Sequence, residues 1–315
     1  MATTPAPTAR PTPAWAAERI EAARASRAAK LDLRCPQGEP TLLAFPAEVL
    51  SLDWLKRLDL SDNHIAELPD DLARLRQLTW LNLSHNSLFD APTALGQLPN
   101  LCWLNLNRNQ LGDFPAAVLA CTQLGTLMLA SNQLLAVPPA LARLTQLWQL
   151  DLSDNPIYEI PEAVFALTGL MVLQLNGLRL EAVPEALAGL QGLKVLGLGG
   201  NPLEEVPACV FQLLQLMSLD LSFTRLSSLP AEIDKLKHLA ELKLTGNQLP
   251  ELPDKIKKFV RLVEIFQAVQ HLVALPEDID ELKHLTELNL SGNQLTALPD
   301  YIDELECLTE LRLSS

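Results

Sequence analysis

A 23-residue period constrains the fold of this chain more than any other feature. Its first complete copy reads LKRLDLSDNHIAELPDDLARLRQ, and the pattern LxxLxLxxNxLxxLPxxLxxLxx then runs without insertion or deletion over residues 55–307, giving eleven units. An incomplete copy follows at 308–315. A unit this short cannot bury its apolar side alone, so successive units must stack on one another. The period therefore predicts one continuous array.

The chemistry within a unit predicts how it folds. The LxxLxL segment alternates in the manner of a short strand, so leucines such as Leu58 and Leu60 point inward and the residues between them point outward. The proline that follows, Pro69 in the first unit, fixes φ and ends the extended segment. Stacking then places the strands in a parallel sheet on the concave side of a curved solenoid, with short helical or irregular turns on the convex side.

An asparagine occupies the ninth position of most units. Its amide can satisfy backbone groups of its own turn and of the neighbouring turn, so we assign it a structural role. Leu178, Thr224 and Gln270 replace it in three units, and the ladder is expected to be weaker where leucine stands. The predicted ladder consists of Asn63, Asn86, Asn109, Asn132, Asn155, Asn201, Asn247 and Asn293.

The N-terminal sequence departs from the repeat. Residues 1–14 are rich in Pro, Thr and Ala and are expected to be a disordered tail. Residues 15–30 are strong helix formers and are expected to cap the solenoid. The repeat domain then spans 31–315, and its first unit, 31–54, is degenerate because its LxL pair, Leu31 and Leu33, stands four residues too early.

These residues resemble the leucine-rich-repeat superfamily, and the likeness covers most of the chain. The LP-containing 23-residue unit is most similar to the intracellular class found in Scribble-like scaffolds, plant intracellular Ras-group proteins and bacterial Roco proteins. The resemblance implies a protein-interaction scaffold that binds its partner on the concave face. Fold alone does not identify the partner.

Two features distinguish the outward strand positions, which are the third and fifth of each unit. Trp80 and Trp103 stand at the same position of adjacent strands, so their rings can lie side by side about 5 Å apart. The repeat template gives them no packing role; packing of the two surface rings on each other alone is the alternative to a partner-binding role. Exposed aromatic residues are typical interaction hot spots, and polar neighbours would form a rim around them. The predicted partner-binding residues at this end are Arg57, Asp59, Trp80, Asn82, Trp103 and Asn105.

The last units place acidic residues at the same outward positions. A row of glutamates spaced by one strand favours a partner with a basic segment, and a solvated acidic face is the equally weighted alternative. The residues of this second candidate region are Glu241, Lys243, Glu264, Phe266, Glu287 and Glu310.

Composition narrows the function classes. A net charge of −14 disfavours nucleic acid and anionic membranes as partners. No apolar run reaches the roughly 18 residues of a membrane span, and the five scattered cysteines suit a reducing cytoplasm. The sequence contains no HExxH, CxxC, GxSxG or phosphate-loop motif. We therefore expect that the protein is not an enzyme and binds no metal or cofactor. We also expect a monomer.

Two other functions stay open at this stage. The chain is alternatively the sensor module of a larger Roco-type GTPase or kinase, because the sequence stops within a unit and its segment ERIEAARASRAAKLDL resembles the start of bacterial Roco repeats. A bacterial effector delivered into host cells is the other alternative.

Within the array, residues 262–284 are expected to be least stable because Gln267 and Gln270 replace an inward leucine and the turn asparagine.

Overall fold

The computed structural model describes residues 11–249 together with the backbone of 287–289 and 310–312. The chain divides into two compact parts, Met1–Leu134 and Leu135–Ser315. The predicted tail lies largely outside the described residues, as do residues 262–284 and Asn293.

Each described repeat contributes one three-residue strand. The strands are β1 (Lys30–Asp32), β2 (Arg57–Asp59), β3 (Trp80–Asn82), β4 (Trp103–Asn105), β5 (Thr126–Met128), β6 (Gln149–Asp151), β7 (Val172–Gln174), β8 (Val195–Gly197), β9 (Ser218–Asp220), β10 (Glu241–Lys243), β11 (Glu287–Asn289) and β12 (Glu310–Arg312).

Consecutive strands pair in parallel, with each outward residue beside its equivalent in the next unit. In the N-terminal part β1 to β5 follow one another in this way, and Trp80 pairs with Trp103. In the C-terminal part β6 to β10 do the same, and β11 pairs with β12. The predicted parallel sheet is confirmed. We call the side of the sheet that carries the third and fifth positions the sheet face.

The segments after the prolines form single turns of 3₁₀ helix or, in one unit, the α-helix α2 (Glu162–Phe165). Each turn begins at the repeat proline; for example, the Leu72 N–H donates to the Pro69 carbonyl at 3.0 Å. The 3₁₀ turns span Ala47–Ser51, Asp70–Arg74, Thr93–Gln97, Ala116–Ala120, Pro139–Arg143, Glu185–Gly189, Ala208–Gln212 and Ala231–Lys235.

Aliphatic side chains fill the space between strands and turns. Leu58 in β2 and Leu60 just after it point inward and are fully buried, and so is Leu72 on the turn side. Each such leucine stabilises the array by about 1.5–3 kcal/mol relative to an exposed position. The core therefore runs along the stack of repeats.

The N-terminal helix α1 (Ala14–Ser26) is shorter than the predicted 15–30 segment. Arg27 takes φ 50°, which ends the helix and allows Lys30 to begin β1. Ile20 is buried, and the Trp15 indole N–H donates to the Pro40 carbonyl at 3.0 Å. β1 pairs with β2 with Leu31 opposite Leu58. The four extra residues of the degenerate first unit therefore lie outside the strand.

The ladder asparagines bind backbone on both sides. The Asn86 amide nitrogen donates to the Leu60 and Leu83 carbonyls at 2.9 and 3.1 Å, and its oxygen accepts from the Ile65 N–H at 2.9 Å. One side chain thus joins two neighbouring units. Because Asn86 is buried, these backbone groups have no access to water and would be costly to leave unpaired.

Where the next unit has no ladder asparagine, the preceding turn supplies the missing hydrogen-bond acceptor from its own backbone. Where the next unit offers Leu178 or Thr224, the N–H of Ile157 or Leu203 donates to the Asn155 or Asn201 carbonyl, each at 2.8 Å. The residue between donor and acceptor is proline in both turns, Pro156 and Pro202. The φ of proline, about −65°, is close to the value that such a three-residue turn requires.

Candidate functional site

An aromatic cluster covers β2 to β4 on the sheet face. The Trp80 and Trp103 rings stack with centroids 4.4 Å apart and planes inclined by 9°, and the Arg57 guanidinium carbon lies 4.6 Å from the Trp80 ring centroid. Parallel register produces this arrangement, because it places the two indoles at equivalent points of adjacent strands. We call Arg57, Trp80 and Trp103 the tryptophan cluster.

The expectation that the two indole rings lie side by side is confirmed, and each ring packs on the other. Both side chains are half-buried, because each ring covers a face of the other. Thr126, which pairs with Trp103 in the sheet, is only 1% exposed. The cluster is therefore an ordered part of the sheet face that still presents ring edges to solvent, and such preorganisation lowers the entropic cost of binding.

The polar residues around the cluster are partly engaged. The Oδ1 atoms of Asp59, Asn82 and Asn105 accept hydrogen bonds from backbone N–H groups two residues ahead, at 3.0, 3.1 and 2.9 Å. These bonds close the ends of the strands. The amide nitrogens of Asn82 and Asn105 and both indole N–H groups donate to no other residue that the structure describes. The free polar groups here are therefore mainly donors, so the surface suits a segment that presents carbonyl or carboxylate oxygens.

The acidic region is only partly within the described residues. Glu241 accepts from the Ser218 hydroxyl at 2.5 Å, and its other oxygen lies 3.7 Å from the Lys243 ammonium. Glu287 and Glu310 pair directly in β11 and β12. Glu264 and Phe266 lie outside the described residues. Local partners thus offset part of the charge of Glu241.

Sequence reasoning missed several exposed apolar residues in the C-terminal part. Trp148 and Met217 are 45% and 47% exposed at the second position of their units, and Met171 between them is 37% exposed. Phe223 is 61% exposed at the eighth position. The signal was present, because both positions are polar or small in most other units.

Burial perturbs a few titratable groups. It raises the pKa of Asp151, although hydrogen bonds from Ser153 oppose the shift. It also raises the pKa of the Cys121 and Cys209 thiols to about 11. These thiols remain protonated at neutral pH, so they are poor nucleophiles.

The residues that the structure describes contain no group of three or more His, Cys, Asp or Glu side chains arranged to hold a metal ion. They also contain no helix that is both long and apolar enough to cross a membrane.

Comparisons with known proteins identify the repeat. The family described as "Leucine rich repeat" matches residues 42–88, 53–111, 99–157 and 145–203, and the "Leucine-rich repeat region" family matches 218–314. Comparison with curated protein sequences gives no match.

Solved structures show the same architecture. A leucine-rich-repeat protein of Leptospira interrogans is 30% identical, with a TM-score of 0.67 over 94% of this chain and 86% of its own. An internalin of Listeria monocytogenes, 24% identical, gives 0.76 over 96% and 89%, which is a likeness of fold. A plant peptide hormone receptor in complex with RGF2, 25% identical, gives 0.62 over 86% of this chain and 49% of the receptor.

Proposed function

Because the chain belongs to the leucine-rich-repeat superfamily, we propose that it is a protein-interaction module that binds its partner on the sheet face, at the tryptophan cluster. The single observation that carries this proposal is the stack of Arg57, Trp80 and Trp103 at 4.4–4.6 Å spacing. Tryptophan and arginine dominate interaction hot spots, and here they are ordered before a partner arrives.

The hydrogen-bonding pattern around the cluster supports a particular kind of partner segment. Asn82, Asn105 and the two indoles supply donors, whereas the Oδ1 atoms of Asp59, Asn82 and Asn105 are held by backbone. An exposed loop or extended segment would place its carbonyl oxygens on these donors and its apolar side chains against the ring edges. The contact is non-enzymatic in this account.

The acidic residues of the C-terminal part affect how fast a partner associates rather than how tightly it is held. Glu241, Glu287 and Glu310 lie at equivalent strand positions, and salt screens interactions between charges at a protein surface. We assign them to the rate and salt dependence of association with a partner that carries a basic segment. The protein acts as a monomer in this proposal.

The state of the cysteines supports a reducing compartment, in line with a cytoplasmic module. The four cysteines that the structure describes, Cys35, Cys102, Cys121 and Cys209, are free thiols. Disulfides are instead typical of small secreted domains.

The test compares the affinities of variants for a partner identified by proximity labelling. Trp103→Ala is expected to weaken binding by about 2 kcal/mol or more, which is roughly thirtyfold in Kd. Phe89→Ala is the control, because Phe89 is 56% exposed in the same part of the chain and is not in the cluster. Equal affinities for the two variants would contradict the proposal, as would loss of binding in Glu241→Ala alone.

A further inference from the structure

A row of left-handed residues marks the eighth position of each described unit. Nine consecutive units have a positive φ there. In six of them the residue carries a side chain, which projects beside those of the neighbouring units. Glycine occupies the other three positions, Gly177, Gly200 and Gly246, and the space that a side chain would fill is open to neighbouring groups.

Gly200 differs from the other two glycines. The carboxylate of Asp154 occupies the Cβ position of Gly177, and the Phe223 ring occupies that of Gly246. At Gly200 the described residues place only the backbone of Gly177 near that position, at 3.1 Å. Gly200 is therefore exposed without a covering side chain.

Two cavities meet at Gly200 and Phe223. One, of about 520 Å³, is lined by residues at the fifth, seventh and eighth positions of the units, and the other, of about 430 Å³, by residues at the eighth to twelfth positions. The Phe223 ring leans over Gly246 of the next unit along the chain. Phe223 is 61% exposed and lines both cavities.

Charge distinguishes the two cavities. Asp154 and Asp220 line the first, and the Asp220 Oδ1 atom lies 2.9 Å from the Cβ position of Gly199. Lys243 also lines it, but its ammonium lies 3.7 Å from Glu241. The second cavity is lined by two cations, Arg179 and Arg225, and one carboxylate, Glu181. The first cavity, which we call the acidic cavity, is therefore the one that accepts a cation.

We propose that the acidic cavity binds an arginine side chain from an exposed segment of a partner protein, with the guanidinium over Gly200 between the Phe223 ring and the Asp154 and Asp220 carboxylates. A guanidinium is planar, so it stacks on an aromatic face and donates paired hydrogen bonds to a carboxylate at the same time. A glycine floor admits a flat group. An anionic side chain would meet the two carboxylates and is disfavoured. This site lies in the C-terminal part and is independent of the tryptophan cluster.

The experiment is a selection of displayed random linear peptides on the purified full chain, repeated on Phe223→Ala and Asp220→Asn. We expect peptides with arginine to be enriched on the wild-type protein and not on either variant. A selected peptide should lose about tenfold in affinity when its arginine is replaced by lysine or citrulline. Asp220→Asn keeps the oxygen that accepts from the Ser222 N–H at 2.9 Å, so the strand end is preserved.

Matched controls isolate the site. Asp151→Asn makes the same charge change at the same position of β6; Asp151 lines neither cavity, so this variant should leave the enrichment intact. Trp80→Ala should also leave it intact, which separates this inference from the proposed role of the tryptophan cluster. Enrichment that persists on Phe223→Ala, or a wild-type selection without arginine, would overturn the assignment.

Discussion

The tryptophan cluster predicts a specific ranking of stability losses. Trp80 contacts both the Trp103 ring and the Arg57 guanidinium, whereas Trp103, among the residues that the structure describes, stacks only on Trp80. A stacked aromatic pair contributes about 0.5–1.5 kcal/mol beyond its buried area. An exposed cation–π contact adds about 0.5–1 kcal/mol. Trp80→Ala should therefore lower the free energy of unfolding by about 1–2.5 kcal/mol beyond the loss of the area that the side chain buries.

Urea denaturation of four proteins measures this loss: the wild type, Trp80→Ala, Trp103→Ala and the double variant. The two single losses should sum to more than the loss in the double variant, with a coupling of about 1 kcal/mol, because both remove the same stack. Trp148→Ala is the matched control, since Trp148 is 45% exposed and stacks on no aromatic ring among the described residues. It should cost no more than about 0.5 kcal/mol.

Two results would refute this reasoning. A Trp80→Ala loss no larger than that of Trp148→Ala would mean that the rings do not stack in solution. A coupling near zero between Trp80 and Trp103 would mean that their contact does not stabilise the fold. Either result would also remove the preorganisation on which the proposed function depends.

Three further predictions concern the repeat itself. Asn86→Ala should cost about 3 kcal/mol in urea denaturation, because several buried backbone groups lose their partner, whereas Thr224→Ala should cost clearly less because the Leu203 N–H already has one. Asp151→Asn should raise the unfolding temperature at neutral pH. Burial raises the pKa of Asp151, so the charged carboxylate destabilises the fold at pH values above the ordinary carboxyl pKa. The gain in unfolding temperature should therefore vanish at lower pH, where Asp151 is protonated. A gain that is unchanged at low pH would contradict this. In the native protein an alkylating reagent should modify Cys102 and spare Cys121 until denaturant is added; equal rates would show that Cys121 is not buried.

The sequence predicted the strands and their register because the period leaves no freedom there. With eleven units in phase, the outward residue of one strand must pair with its equivalent in the next, as Trp80 does with Trp103. The assignment of Asn63 and Asn86 to backbone hydrogen bonds followed from the same logic, and their amides make such bonds. These features depend on position alone.

Other features depend on side-chain packing between units, which a repeat pattern does not contain. The rings of the tryptophan cluster cover each other because of their rotamers, so their half-buried state could not be read from the period. In the turn at Ile157, the Ile157 N–H donates to the Asn155 carbonyl across Pro156. The sequence indicates this bond only once it is recognised that Leu178 replaces the asparagine of the next unit. The Phe223 ring leans over Gly246 of the next unit, a contact that depends on the side chain at this position and not on the period.

The most direct test of the proposed function maps where a partner touches the protein. A photo-crosslinking residue at position 82 lies on the sheet face beside the tryptophan cluster, and one at exposed Gln97 lies on a 3₁₀ turn of the same part. Irradiation in cells that produce the protein should give a discrete crosslinked protein from position 82, and Trp103→Ala should abolish it. A crosslink from position 97 with none from position 82 would contradict the claim that the partner binds on the sheet face.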